Sequence, residues 1–139
     1  MKGAGFFKRV FSLIYDSLAI TGIIFSLSLL LVILNGGYAE ENSLSGLIQL
    51  LIIGLSGPCF YTYFWIANAG QTLGMQAWKI KLISHKKDLS ISLCLLRCLI
   101  SIISFLFFGL GYFLILFHKE NKSLADLLTN TQIIDIKRT

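Results

Sequence analysis

The chain has 139 residues, 55% of them hydrophobic and 14% charged, with a formal net charge of +5. A soluble domain carries about a quarter charged residues, and its helices need polar surface on most faces, so this composition excludes an aqueous globule and makes the bilayer the solvent. The modest positive charge does not point to nucleic acid, because basic flanks of membrane segments account for it.

Taken in chain order, Lys2, Lys8 and Arg9 precede a first apolar run, Val10 to Leu34, that is 25 residues long and carries one charge, Asp16. Roughly 20 residues cross the hydrocarbon as a helix. The basic start and the small residues of Gly37-Tyr38-Ala39 also fit a cleaved signal peptide. The run is far longer than the roughly 7 to 15 residues of a signal core, however, and Asp16 interrupts it, so a retained helix is the preferred reading. A loop with Glu40 and Glu41 and no Lys or Arg leads into a second run, Leu44 to Ala67, which has no charge at all. Gly57-Pro58 in its middle predicts a kink, and Gly54 and Gly57 would let another helix approach closely. Its end, Tyr61-Thr62-Tyr63-Phe64-Trp65, suits the membrane interface.

Residues 68–90 hold Lys79, Lys81, Lys86 and Lys87, and the tail after Phe117 holds Lys119, Lys122, Lys137 and Arg138. Cytoplasmic loops are the basic ones, which places the N-terminus, this segment and the tail inside and residues 35–43 outside. One straight crossing by the third run, Leu89 to Phe117, would instead put a basic tail outside. A bent or re-entrant path turning near Gly109 and Gly111 resolves the conflict, although 29 residues are short for two full spans. A single tilted crossing remains the alternative.

In Trp78-Lys79-Ile80-Lys81-Leu82 apolar and basic residues alternate with the period of a strand, and Thr131 to Lys137 shows a blurred version. Two such strands could pair with each other if loop and tail share a compartment. An amphipathic interfacial helix, with Trp78 at the headgroups, is the competing reading. The fold expected is an all-α integral membrane protein forming one domain over 1–139. It comprises helix 10–34, helix 44–67, a cytoplasmic basic segment 68–90, a third hydrophobic segment 89–117 and a cytoplasmic tail 118–139, with two short cytoplasmic strands as an option.

Chemistry-bearing residues are few. Cys59, Cys94 and Cys98 lie in apolar runs; the last two share a helix face but lack a second ligand pair, so they read as packing residues and no metal is expected. His85 and His118 are far apart and read as interface residues. No phosphate-binding glycine loop occurs, and neither an enzyme nor a cofactor is expected. Asp16 is different. A carboxylate within an apolar helix costs a few kcal/mol unless partnered, so it should face protein or water. Arg9 lies on the same stripe about 10 Å away along the helix axis, with Ser12 between them, whereas Arg97 enters the third run from the same side. The first choice of partner is Arg97. Asp126 follows Ser123 by three residues, as in a capping box, and is also suited to receive Arg9.

Four stretches together resemble the RDD family, membrane proteins named for one arginine and two aspartates. KRVFSLIYDSLAI carries Arg9 and Asp16, and GQTLGMQAWKIKLIS carries Gly70, Thr72 and Gly74 in the family's Gly-x-Thr-x-Gly spacing. LLRCL carries Arg97, and KSLADLLTNTQII carries Asp126, with Ala125 where a histidine is frequent and Asn130 where a glycine is frequent. The resemblance implies a polytopic protein of the cell membrane, in bacteria the inner membrane, for which transport is the usual suggestion. Asp16 would then bind a cation, a proton or a small solute, balanced by Arg9 or Arg97. Alternatively Arg9, Asp16, Arg97 and Asp126 lock helix packing in a scaffold or accessory protein. So few helices enclose a pathway only as a homo-oligomer or with a larger membrane partner, so the bilayer and such a partner are the contacts expected.

Overall fold

The computed structural model describes residues 3–37, 43–84, 89–106 and 122–136. Two long helices dominate: α1, Phe6–Leu34, and α2, Ser43–Ala67. At 1.5 Å per residue they are about 44 and 38 Å long, more than the roughly 30 Å of bilayer hydrocarbon. Both are long and apolar enough to cross a membrane, and the most apolar 18 residues of α1 include none that is buried. Leu18 and Phe25 are more than two-thirds exposed, as in a helix that faces lipid and not as in the core of a soluble protein.

Helix α1 begins four residues before the expected Val10. Its first turns tolerate Lys8 and Arg9 because both are ion-paired to residues of the C-terminal segment. Helix α2 runs unbroken through Pro58. A Cβ added at Gly54 or Gly57 would meet nothing within 4 Å, so within the described chain no neighbouring helix uses these glycines for close approach.

The packed core lies at one end of the helices. Thr72 caps a short helix α3, Leu73–Ala77, by accepting the Met75 N–H at 3.2 Å, and strand β1, Ile80–Ser84, follows at once. Helix α4, Ile91–Leu106, turns Cys94, Arg97, Cys98 and Ser104 inward. Helix α5, Leu124–Thr129, leads through Asn130 into strand β2, Thr131–Asp135. Asn130 sits at φ 51°, ψ 40°, the left-handed helix terminus that glycine usually fills and asparagine tolerates, so the side chain is accommodated at little cost.

Strands β1 and β2 pair antiparallel in the register Ile80 with Asp135, Leu82 with Ile133 and Ser84 with Thr131, and Gly3 adds a bridge to Ile134. The alternating run thus forms a strand and not an interfacial helix, starting two residues after Trp78 because Lys79 is in the left-handed region at φ 53°. Ile80 and Leu82 bury one face against Ala4, Trp65, Met75, Cys94 and Cys98. This ladder ties the basic loop to the tail at one end of the helices. The expected turn at Gly109 and Gly111, the two histidines, Glu40, Glu41 and the basic residues at 86, 87, 119, 137 and 138 lie outside the described residues.

Candidate functional site: two buried aspartates and a cavity

Arg9, Ser12 and Asp16 are the buried residues of α1. Their spacing of three and four puts them on one stripe, which faces the other elements while the rest of the helix is mostly apolar and at least partly exposed.

Asp126 is the centre of the first cluster. Ser123 Oγ accepts the Asp126 N–H at 3.3 Å and the Asp126 carboxylate accepts the Ser123 N–H at 3.1 Å, a complete capping box at the start of α5. The same carboxylate receives Arg9 Nη1 on one oxygen and Arg97 Nη2 on the other, each at 2.5 Å. Arg9 also donates through Nε to the Ala4 carbonyl at 3.1 Å and through Nη2 to that of Ile133 at 3.3 Å. Arg97 donates to Thr131 Oγ1 and lies over the Trp65 ring, 5.6 Å from its centre. Burial pushes the Asp126 carboxyl up, but the charges of Arg97 and Arg9, with the hydrogen bonds from Arg9 and the Ser123 N–H, outweigh it and hold the group below its ordinary value of 3.8.

Arg97 therefore pairs with Asp126 and not with Asp16. The reason is positional: the first residues of α5 and β2 dock against α4 beside Arg97, where a charged partner and a hydroxyl are both within reach. Asp16 takes neutral donors instead. Thr72 Oγ1 donates to its Oδ2 at 2.6 Å and the Gly74 N–H to its Oδ1 at 2.8 Å. Among the described residues it makes no salt bridge.

The glycines of the Gly-x-Thr-x-Gly stretch explain how α3 reaches so deep. At Gly74 an added Cβ would strike the Ser12 carbonyl and crowd the Asp16 carboxyl, so only glycine lets this turn lie on α1. Gly70 has φ +92° and an added Cβ would strike the Leu82 carbonyl, whose own N–H donates to the Gly70 carbonyl at 2.8 Å. One glycine makes the turn and the other the close contact.

Both clusters border a cavity of about 520 Å³ between α1, α2 and α4, with Met75, Ile80 and Ile133 also in its wall. Arg9, Arg97 and Ser123 line one end, and Asp16 lies part of the way along. Ile20, Pro58 and Ile102 line the rest. Three residues of this region take roles that the sequence does not announce: Trp65, expected at the membrane interface, is buried, and Thr131 and Asp135 are expected only as members of the alternating tail. Thr131 holds Arg97, Trp65 stacks under it, and Asp135 takes Lys8 at 2.5 Å. Only Asp135 carried a signal, as the one carboxylate of the alternating tail strand. Ala125 is buried. Among the described residues no group of three or more His, Cys, Asp or Glu is placed to hold a metal ion.

Two long apolar helices resting on a small core, with Arg9, Asp16, Arg97 and Asp126 buried at the junction, define a helical membrane protein with internal charges. The RDD family model matches residues 3–130, nearly the whole chain, and the protein belongs to the RDD family. No curated protein and no solved structure is significantly similar to it.

Proposed function

We propose that this protein is a membrane transporter, or the ion-coupling subunit of one, in which Asp16 binds a cation, a proton or a small solute. One observation carries the reading. Asp16 is buried within a membrane helix and borders a cavity, yet no cationic side chain among the described residues pairs with it. An ionisable residue held at this depth without a counter-charge is a functional site by default. The cavity gives an exchangeable partner somewhere to sit. Pairing of β1 with β2 supports a third hydrophobic segment that turns back toward the side it entered from, with loop, tail and N-terminus all cytoplasmic in a bacterial inner membrane. A closed pathway then needs a second copy or a larger partner.

The test is proton flux in liposomes driven by imposed Na⁺ or K⁺ gradients, comparing the parent with Asp16→Asn after both are checked for the same oligomeric state. Flux in the parent that disappears in the assembled variant supports coupling at Asp16. A parent that moves no protons under any of these gradients overturns it.

A second reading is favoured by the other cluster. Arg9, Arg97 and Asp126 hold one another and the tail so completely that their role is to join α1, α4, α5 and β2. Under that reading the protein is a scaffold or accessory subunit whose basic face meets lipid or a partner. Asp16→Asn would then disturb abundance or assembly and leave no flux to lose.

A further inference from the structure

We propose that the cavity is a binding site for lipophilic organic cations, compounds with a single ammonium or phosphonium charge inside an apolar body, with Asp16 as the counter-ion. The inference rests on the reading of Asp16 as an ion-coupling site and names the class of ligand.

The shape and lining carry the argument. From Arg9 to Ile20 the cavity follows α1 for about 16 Å. Its volume of about 520 Å³ falls within the range, about 300 to 1,000 Å³, of pockets that enclose drug-sized ligands. Leu13, Ile14, Pro58, Met75, Cys98 and Ile102 make most of the wall, with Tyr61 and Trp65 adding aromatic surface. Ile14 and Ile102 are also about half exposed, so the cavity opens between α1 and α4 toward the hydrocarbon, where lipophilic ions concentrate.

The charges select the sign. Both guanidiniums at the polar end are committed, Arg9 to Asp126, Ala4 and Ile133, and Arg97 to Asp126 and Thr131. An anionic ligand would have to compete with the Asp126 carboxylate for both guanidiniums. Asp16 has its two oxygens engaged by one neutral donor each, and a carboxylate has further accepting capacity. The surplus positive charge of the arginine cluster enters α1 at Arg9, about 10 Å along the axis from Asp16, and does not make contact with it.

The lining also selects against a bare inorganic ion. Hard cations stripped of water require a shell of about six or more oxygens. Among the described residues that line the cavity, the hydroxyls near Asp16 are those of Ser12, Ser17, Tyr61 and Ser101, scattered among aliphatic side chains, with Thr72 already donating to the carboxylate. An organic cation brings its own apolar coat, which matches the wall, and leaves one charge to be met by one carboxylate and the nearby aromatic rings.

The experiment is equilibrium dialysis of tetraphenylphosphonium against the purified full chain in detergent, with neutral triphenylphosphine oxide as control. The parent is expected to bind the phosphonium saturably, and the neutral control about tenfold or more weakly. Asp16→Asn should weaken phosphonium binding by a similar factor. Ile102→Trp, which adds bulk to the cavity wall, should weaken binding of both compounds. Equal affinity for the charged and neutral compounds, or phosphonium binding unchanged in both variants, overturns the inference, and the first comparison needs no variant to fold. Parent protein that moves protons against Na⁺ or K⁺ but binds no phosphonium overturns this ligand class while leaving Asp16 as a coupling site. Phosphonium binding that depends on Asp16 in a protein showing no flux upholds the site and removes the transport reading.

Discussion

Asp126 and Asp16 are each 1% exposed, and the chain accommodates their charges in opposite ways. Asp126 meets two guanidiniums, caps its own helix and holds the tail to α1 and α4. Asp16 meets a hydroxyl and a backbone N–H. A buried carboxylate with ionic partners on both oxygens is closed to anything else, whereas one with only neutral donors still has a charge to be answered. The difference separates a structural junction from a site able to exchange its partner.

The sharpest way to break that comparison is to neutralise each aspartate in turn. Asp126→Asn leaves two guanidiniums facing one another without a carboxylate, and losing one member of a buried ion pair costs about 3 to 5 kcal/mol. Thermal unfolding in detergent should show the folded fraction collapse. Asp16→Asn, which loses hydrogen-bond quality and no ionic partner, should cost about 1 to 3 kcal/mol in the same assay. Equal losses would mean that the two sites are structural equivalents.

Acid offers the same test of Asp126 without mutation. Its carboxyl titrates lower in the folded protein than in the unfolded chain, so its contribution is complete above the ordinary value of 3.8 and is lost as pH falls through the lower folded value. Unfolding followed from neutral pH downward should owe nothing to this group until about that point. Asp126→Asn should flatten the acid limb.

Smaller effects sharpen the picture at Asp16. Gly74→Ala drives a methyl into the Ser12 carbonyl and lifts α3 from the carboxylate, an overpacking cost of about 1 to 3 kcal/mol visible as a lowered midpoint. Ser123→Ala removes one capping hydrogen bond from α5 and should cost about 1 kcal/mol.

Much of this architecture is legible in the sequence, and the failures have a common cause. Run length gives both spanning helices, and Ser123 three before Asp126 gives the cap. The alternation around Ile80 gives a strand once a second alternating segment is available to pair with it. Partner choice is harder. Arg97 and Asp16 enter from the same side and have opposite charges, but the distance between them depends on where α5 docks, which no local pattern encodes. The true partners of Asp16 were even less visible as a pair, because a backbone N–H has no side chain to announce it. Gly74 supplies one through its lack of a side chain, and the Gly-x-Thr-x-Gly spacing marks that it matters without saying what it holds.

Arg9 has a partner 117 positions further along the chain. At about 5 to 20 residues per second, synthesis delivers Asp126 roughly 6 to 23 s after Arg9. The last helical turn and final strand then act as a fastener: Asp126 takes Arg9 and Arg97, Ile133 takes the Ala4 N–H at 2.7 Å, and Asp135 takes Lys8. A chain cut short of this segment would leave Arg9 and Arg97 without their shared carboxylate, so the earliest helix receives its ionic closure from a stretch made long after it.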